Sequence, residues 1–325
     1  MSDTKLVKTV CRSCHGGCGV IAHVKGGKVI KVEGDPDSPI SHGSMCSKGL
    51  AVTQMAYHPD RILHPMKKSN GDWQQISWDE ALDTVAGKFK KAQEKYGAES
   101  ILLGQGTGRD FESHFSRLGN MLGTPNMITA GHMCYLSRIA ATLTTCGRHP
   151  AIDYAGDPKC IVMWGCNPLW TNPDEYKGVS FWRAYQKGAK LIVIDPRKGF
   201  LAKRADLWLQ VRPGTDAALA LGFHNVIIEE ELYDKEFVSQ HVHGWGEFVE
   251  RVKSDYPLDL VEKITWVDRD LIRKAARLYA TNKPAGIHWG VPTEQTINCT
   301  DFTRAAVGLM AATGNLDAPG GNVFH

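Results

Sequence analysis

No apolar run in this sequence approaches the roughly 20 residues that a bilayer-spanning helix needs. Its most hydrophobic segments, Cys160 to Gly165 and Lys190 to Asp195, have the length of strands, so no direct membrane span is expected. Runs of like charge are missing as well. Lys and Arg are interspersed with Asp and Glu, and the formal net charge is only +3, which leaves no electrostatic footprint for nucleic acid. The first residues, Met1-Ser2-Asp3-Thr4-Lys5, hold neither a charged region leading into an apolar run nor a twin-arginine pair, and a cytoplasmic location is the expectation. Internal repeats and low-complexity tracts are absent. No Gly-Lys-Ser/Thr follows the segment Gly104-Gln105-Gly106-Thr107-Gly108, so that segment is not a phosphate-binding P-loop and reads as a tight turn.

What is present is a chain of 325 residues with 42% apolar content, enough to bury a sizeable core and to form two or three packed units. Nine cysteines in a reducing compartment are ligands and buried thiols rather than a disulfide framework. Up to about Pro65 the sequence is rich in Gly, Cys and His. Alternating stretches Val20-Ile21-Ala22-His23-Val24 and Val29-Ile30-Lys31-Val32, parted by Gly26-Gly27, predict a β-hairpin in a small β-rich domain over 1–65. Ser77-Trp78-Asp79-Glu80 predicts a capped helix start, with an amphipathic helix to Tyr96-Gly97. A strand at 100–104 and a helix through Phe115 and Leu122 follow. A clearer set alternates strand Cys160 to Gly165, a helix around 176–187, strand Leu191 to Asp195 and the short run Leu207-Trp208-Leu209. Helices dominate from Asp216 to about Ala280, then a strand at Ala285 to Trp289 and a last helix from about Cys299 to Thr313. Alternating strands and helices imply an α/β fold with largely parallel sheets covered on both faces. The division expected is a cluster-type domain over 1–65, an α/β domain over 66–150 completed by 285–325, and a Rossmann-like α/β domain over 151–284.

The strongest chemical signal is Cys11-x2-Cys14-x3-Cys18 with Cys46 further along. Three thiolates from one loop can cap three corners of a cubane while a distant loop supplies the fourth, and Gly16, Gly17 and Gly19 let the chain fold tightly around it. This spacing predicts a single [4Fe–4S] cluster. Structural zinc also takes four thiolates but usually pairs them as two short C-x2-C knuckles. Lys48 stands two residues after Cys46; an exposed lysine is its ordinary role, and a cation between a cluster and an anionic cofactor is the functional one.

Gly165-Cys166-Asn167-Pro168 and Asp195-Pro196-Arg197 each follow a strand directly. Ligands of open parallel sheets bind at the carboxyl ends of strands, which sets both loops on one crevice. Asp195 there can accept hydrogen bonds from a ribose or a base edge, and Arg197 can neutralise a phosphate. Arg212-Pro213-Gly214-Thr215-Asp216 opens a helix, where backbone N–H groups and the dipole suit an anion and Asp216 could read a guanine N–H face. The plainer reading is a helix capped by Thr215 or Asp216.

Taken in order, the cysteine set, Cys46-Ser47-Lys48-Gly49, Tyr57-His58-Pro59-Asp60-Arg61, Ser77-Trp78-Asp79-Glu80-Ala81, Gly165-Cys166-Asn167-Pro168, Ile194-Asp195-Pro196-Arg197, Arg212-Pro213-Gly214-Thr215-Asp216 and Pro319-Gly320-Gly321-Asn322 resemble the dimethyl sulfoxide reductase family of molybdopterin enzymes over nearly the whole chain. The resemblance implies the first three domains of that fold. It also implies a molybdenum or tungsten centre on two molybdopterin guanine dinucleotides, served by the [4Fe–4S] cluster. By position the protein ligand of the metal would be Cys134, in Gly131-His132-Met133-Cys134-Tyr135; a soft thiolate suits such a metal, and a buried small hydrophobe is the usual role of a lone Cys. Lys48 would conduct electrons between cluster and pterin, and Gly165, Asn167, Pro168, Asp195, Arg197, Gly214, Thr215 and Asp216 would hold the guanine dinucleotide arms. Cys146, Cys160, Cys166 and Cys299 are left as buried or incidental thiols.

Two departures from the family pattern matter. Its formate dehydrogenases carry His directly after the metal-binding residue where Tyr135 stands here, so formate is not the expected substrate. Its catalytic subunits run to twice this length or more and end in a β-barrel domain that this sequence does not reach. The expected function is a molybdopterin-dependent oxidoreductase acting on a small molecule and passing electrons to an iron–sulfur partner subunit. The alternatives are a non-redox hydratase of the same family, with the metal as Lewis acid, and a subunit carrying the cluster alone. His132 and His149 could move protons or be hydrogen-bonded structural histidines.

Overall fold

Gly26 and Gly27 take φ of +57° and +76°, the two left-handed residues that a tight hairpin needs to match the twist of its strands. They join β2 (Gly19–Lys25) to β3 (Lys28–Gly34), and β1 (Lys5–Val10) completes an antiparallel sheet of order β1-β2-β3. Alternation buries Val20, Ala22 and Val32 on one face. This is the computed structural model of the chain, and it describes residues 4–14, 16–106, 111–129, 131, 134–170 and 177–324. The chain packs as two compact units, Met1–Ser13 with Cys18–Met133, and Cys14–Gly17 with Cys134–His325.

In the first unit two short helices, α1 (Ser47–Leu50) and α2 (Val52–Ala56), lie against β3. A second hairpin, β4 (Met66–Ser69) and β5 (Asp72–Gln75), precedes the long helix α3 (Trp78–Tyr96). The Ser77 hydroxyl accepts the Glu80 N–H at 3.1 Å, the N-cap read from the sequence. Parallel strands β6 (Leu103–Gln105) and β7 (Met127–Thr129) are bridged by α4 (Glu112–Leu122). Residues 107 and 108 of the glycine-rich turn lie outside the described residues.

The second unit holds a four-stranded, all-parallel sheet. After α5 (Leu136–Cys146) and β8 (Pro150–Ile152) come β9 (Cys160–Trp164), α6 (Lys177–Gln186), β10 (Lys190–Ile194) and β11 (Leu207–Leu209). Five helices follow: α7 (Asp216–Glu229), α8 (Lys235–His241), α9 (Trp245–Asp255), α10 (Leu258–Thr265) and α11 (Arg269–Thr281). The last elements are β12 (Ala285–Trp289), α12 (Cys299–Ala312) and β13 (Asn322–Phe324). The sheet order is β11-β10-β9-β12, and β13 pairs with β8. β9 and β12 are buried throughout and β10 from Leu191 on, as near-continuous apolar runs require when helices cover both faces. Val162, Trp164, Ile194 and Ile287 pack on one face against Phe223, Ala276 and Phe302 from α7, α11 and α12. Ile161, Met163, Leu191 and Val193 pack on the other against Phe181 and Leu201. The chain is therefore of α/β class with parallel sheets. Among the described residues, no helix is long and apolar enough to cross a membrane.

Candidate cofactor site

Cys11 follows β1 and Cys18 precedes β2, and the antiparallel pairing brings their backbones together: Val10 faces Gly19, and the Cys11 N–H donates to the Cys18 carbonyl at 2.8 Å. Cys46 occupies the N-cap position of α1. Gly49, on the same helix, lies against Cys11, since a methyl added there would sit 3.5 Å from the Cys11 Sγ and 2.8 Å from the Met45 Cε. Cys14 falls in the second unit, where its sulfur accepts the Gly16 N–H at 3.4 Å. All four cysteines are of intermediate burial, and Lys48 is exposed on α1. Among the described residues, no three His, Cys, Asp or Glu side chains are gathered closely enough to hold a metal ion. The donor chemistry nonetheless fits an iron–sulfur cluster: soft thiolates, and a glycine that leaves the space beside the Cys11 sulfur open.

The second unit presents a level edge. Register aligns Trp164, Ile194 and Trp289 across β9, β10 and β12, and Ile194 with Leu209 of β11. The residues that follow, Gly165, Asp195, Gln210 and Gly290, leave the sheet side by side at its carboxyl end, where open α/β sheets hold ligands. Gly165 has φ +60°, and its N–H donates to the Ile194 carbonyl at 2.8 Å, turning the loop over the next strand. Asn167 accepts the Trp170 N–H at its carbonyl (3.0 Å), and Pro168 is buried. The Asp195 Oδ1 accepts the Arg197 N–H at 2.7 Å, leaving the Arg197 side chain exposed beyond it. Gly214 takes φ +82°, and its carbonyl accepts the Asn298 side-chain amide at 3.1 Å. Thr215 sits at the N-cap of α7, but its hydroxyl donates to the Arg212 carbonyl at 2.7 Å instead of accepting from the helix.

Asp216 is buried and its Oδ1 accepts the Trp164 indole N–H at 2.8 Å. Burial raises its carboxyl above the ordinary value of 3.8, against the opposing hydrogen bond from Trp164. With the folded value raised, the stabilising contribution is complete below 3.8 and is lost as pH rises through the folded value, so at neutral pH the ionised carboxylate works against folding. Asp216→Asn keeps an acceptor for the indole and removes the charge. Its denaturation midpoint at neutral pH is expected to exceed that of the parent, with the gap closing in strong acid; an unchanged neutral midpoint would contradict this account.

Cys134 lies two residues before α5 and is of intermediate burial. One turn on, Arg138 is buried; its Nη2 donates to the Trp289 carbonyl at 2.7 Å and contacts the Glu294 Oε1. Ser137 Oγ donates to the Glu294 carbonyl at 3.1 Å. His149 sets its ring edge-on to Tyr135 and Trp289, with centroids 5.4 and 5.9 Å away, and its Nδ1 lies 3.5 Å from the Thr142 hydroxyl. The helix that follows Cys134 is thus tied to the end of β12, on the same edge as the loops at 165 and 195. His132 lies outside the described residues.

Sequence reasoning missed two features here. The first is the Arg138–Glu294 pair, whose only local signal is an arginine one helical turn after Cys134. The second is a buried contact between the Tyr154 hydroxyl and His288 Nδ1 at 2.6 Å, beside which Cys166 Sγ donates to the His288 carbonyl at 3.2 Å. Burial pushes the Cys166 thiol up to about 12, so it stays protonated, consistent with an inert thiol. Burial also pulls His288 from 6.5 to about 3, with Lys177 and Arg138 adding to the effect, and pulls His224 from 6.5 to about 4. Both folded values lie below that of the unfolded chain. As pH falls below 6.5 the unfolded state takes up protons that the folded state refuses, and stability is lost toward about pH 4 and below. Urea midpoints of the Asp216→Asn variant, which lacks the opposing carboxyl, are expected to fall between about pH 7 and about pH 5.5, above the ordinary carboxylate range; a flat profile there would count against neutral buried imidazoles.

Comparison with known proteins bears on all of these groups. The family model described as molybdopterin oxidoreductase matches residues 61–325, and that described as molybdopterin oxidoreductase Fe4S4 domain matches residues 4–58. Acetylene hydratase of Syntrophotalea acetylenica is 40% identical over 94% of this chain and 43% of its own length. Dopamine dehydroxylase of Eggerthella lenta is 40% identical over 74% of this chain and 24% of its own. The solved structure of acetylene hydratase from Pelobacter acetylenicus superposes with a TM-score of 0.83 at 37% identity, covering 98% of this chain and 44% of that one. The chain thus spans less than half the length of these relatives. With its cysteine-bearing N-terminal segment and its parallel-sheet unit each matched by a family model, this chain belongs to the molybdopterin oxidoreductases that carry a molybdopterin cofactor and a [4Fe–4S] cluster.

Proposed function

We propose that the chain is the cofactor-binding part of a cytoplasmic catalytic subunit that performs a redox reaction on a small molecule at a molybdenum or tungsten centre. In this reading Cys134 is the protein ligand of the metal, and Cys11, Cys14, Cys18 and Cys46 hold the cluster. The observation that carries it is the common edge of the second unit, where the loops after β9 and β10, the start of α7 and the helix entered from Cys134 meet. The bound cofactor supplies a metal whose valence changes do the hard chemistry. The chain's own residues bind and orient it. Gly165, Asn167 and Pro168 form the first loop against one guanine dinucleotide arm, Asp195 accepts from its ribose or base, and Arg197 meets phosphate. Gly214 and Thr215 offer the α7 start to the other arm, and Asp216, fixed by Trp164, reads the guanine face. Lys48 would serve the passage of electrons between cluster and pterin, and an iron–sulfur partner subunit would exchange them.

A second reading, a non-redox hydratase, is favoured by the 40% identity and 0.83 TM-score to acetylene hydratases. Elemental mass spectrometry of anaerobically purified protein, with release of guanine nucleotide by acid, tests the shared part. About four iron atoms with molybdenum or tungsten and about two guanine nucleotides per chain are expected. Iron without metal or nucleotide would leave a cluster carrier, and zinc alone would remove the cluster. Reduction or oxidation of a dye during turnover selects the redox reading; product formation with no net electron transfer selects the hydratase.

A further inference from the structure

Arg138 and Glu294 form an ion pair taken almost completely out of water, with side chains 9% and 0% exposed. Such a pair is poor stabilisation, because desolvating both charges consumes most of what their attraction returns, and apolar residues of similar size commonly do as well. This pair is not fully satisfied either: the Glu294 Oε2 is buried and makes no hydrogen bond among the described residues. What the pair does supply is direction. Arg138 lies in the first turn of α5, four residues after Cys134 in the sequence. Its guanidinium sits over the Trp289 ring at 4.5 Å and over the Tyr135 ring at 5.2 Å. Its Nη2 reaches both the last carbonyl of β12 and the Glu294 carboxylate, while Ser137 donates to the Glu294 carbonyl at 3.1 Å and to the Cys134 carbonyl at 3.4 Å. The segment 134–138 is therefore pinned at several points to the segment 289–294, across more than 150 residues of sequence.

We infer that Arg138, clamped by Glu294 and Trp289, is the positioning residue of Cys134, fixing the direction from which its sulfur meets the metal. The inference rests on Cys134 being the metal ligand. A planar guanidinium suits the task because it stacks on rings with its faces while its edge donates to two acceptors; a lysine ammonium has neither geometry.

The test uses the full chain loaded with molybdenum and reads the molybdenum(V) electron paramagnetic resonance signal and its one-electron midpoint potential. In the double variant R138M/E294M the pair is replaced by apolar side chains of similar length, so the unfolding midpoint and the iron, molybdenum and guanine contents are expected to match the parent. The resonance is expected to shift, and the one-electron equilibrium to move by about tenfold, which is 59 mV. R138K, which keeps charge and length, is expected to move the signal in the same direction and decides the matter if the double variant loses cofactor. Signals and potentials identical to the parent in the cofactor-loaded variant would overturn the positioning role. C134S separates the two claims. A changed signal in C134S with an unchanged one in the Arg138 variants removes the clamp alone, and an unchanged signal in C134S removes the ligand reading and the clamp with it.

Discussion

Cys134→Ala is expected to lower turnover by more than about 100-fold, because substitutions at partners one bond removed from a metal ligand already cost 10–100-fold. Iron content and thermal unfolding should stay near the parent values, since the cysteines proposed for the cluster are elsewhere in the sequence and Cys134 is only of intermediate burial. The competing role is a packed thiol. Loss of a partly buried Cys would then cost about 1 kcal/mol of stability or less and leave turnover intact. Turnover assays beside iron, molybdenum and guanine analysis on the same preparation distinguish the two, and full activity in the variant would remove Cys134 from the ligand role.

The second large effect is expected from a glycine that needs space rather than conformational freedom. Gly290 follows β12 with an ordinary backbone φ of −107°, yet a Cβ there would stand 2.4 Å from the Gly165 carbonyl oxygen and 2.7 Å from the Cys166 Cβ. The obstacle is largely backbone, so it cannot rotate away. Gly290 also donates its N–H to the Trp164 carbonyl at 2.9 Å, which holds the two strand exits in contact. Gly290→Ala is expected to destabilise the fold by about 1–3 kcal/mol through overpacking. It should also displace the 165–168 loop, so guanine nucleotide content should fall along with the denaturant midpoint. Gly188→Ala, away from the cofactor loops, makes a useful comparison. A Cβ at Gly188 meets nothing within 4 Å, and only its φ of +98° resists, at about 1–2 kcal/mol. Equal nucleotide loss in both variants would mean that the close crossing at Gly290 has no special part in holding the cofactor loop.

Much of the local structure could be read from the residues alone. The Gly26-Gly27 turn, the Ser77 cap, the strands at 160–164, 190–194 and 285–289 and the helix at 299–312 all appear where composition and period put them. Each depends on interactions within a few residues: left-handed backbone at glycine, a hydroxyl reaching an N–H three residues on, a run of β-branched side chains. The candidate site was legible to the same extent. Its loops follow strands, and the sequence places each loop at a strand end.

The neighbours of those elements were not legible. The expected division set 285–325 with 66–150, whereas β12 lies beside β9 in the sheet of the second unit, and α12 packs on both α5 and α7. Likewise the sequence offers Asp216 as a reader of guanine or as a helix cap, and the fold gives its Oδ1 to Trp164. The amino-acid sequence by itself determined the elements, the cysteine spacing and the loops able to meet a nucleotide, because these are set by short-range sterics and side-chain chemistry. Tertiary structure alone decided that Arg138 meets Glu294, that Tyr154 meets His288 and that Gly290 must stay bare against Gly165. Those contacts join residues more than 100 positions apart, and partners at that distance are chosen by strand order and register, which no local pattern records.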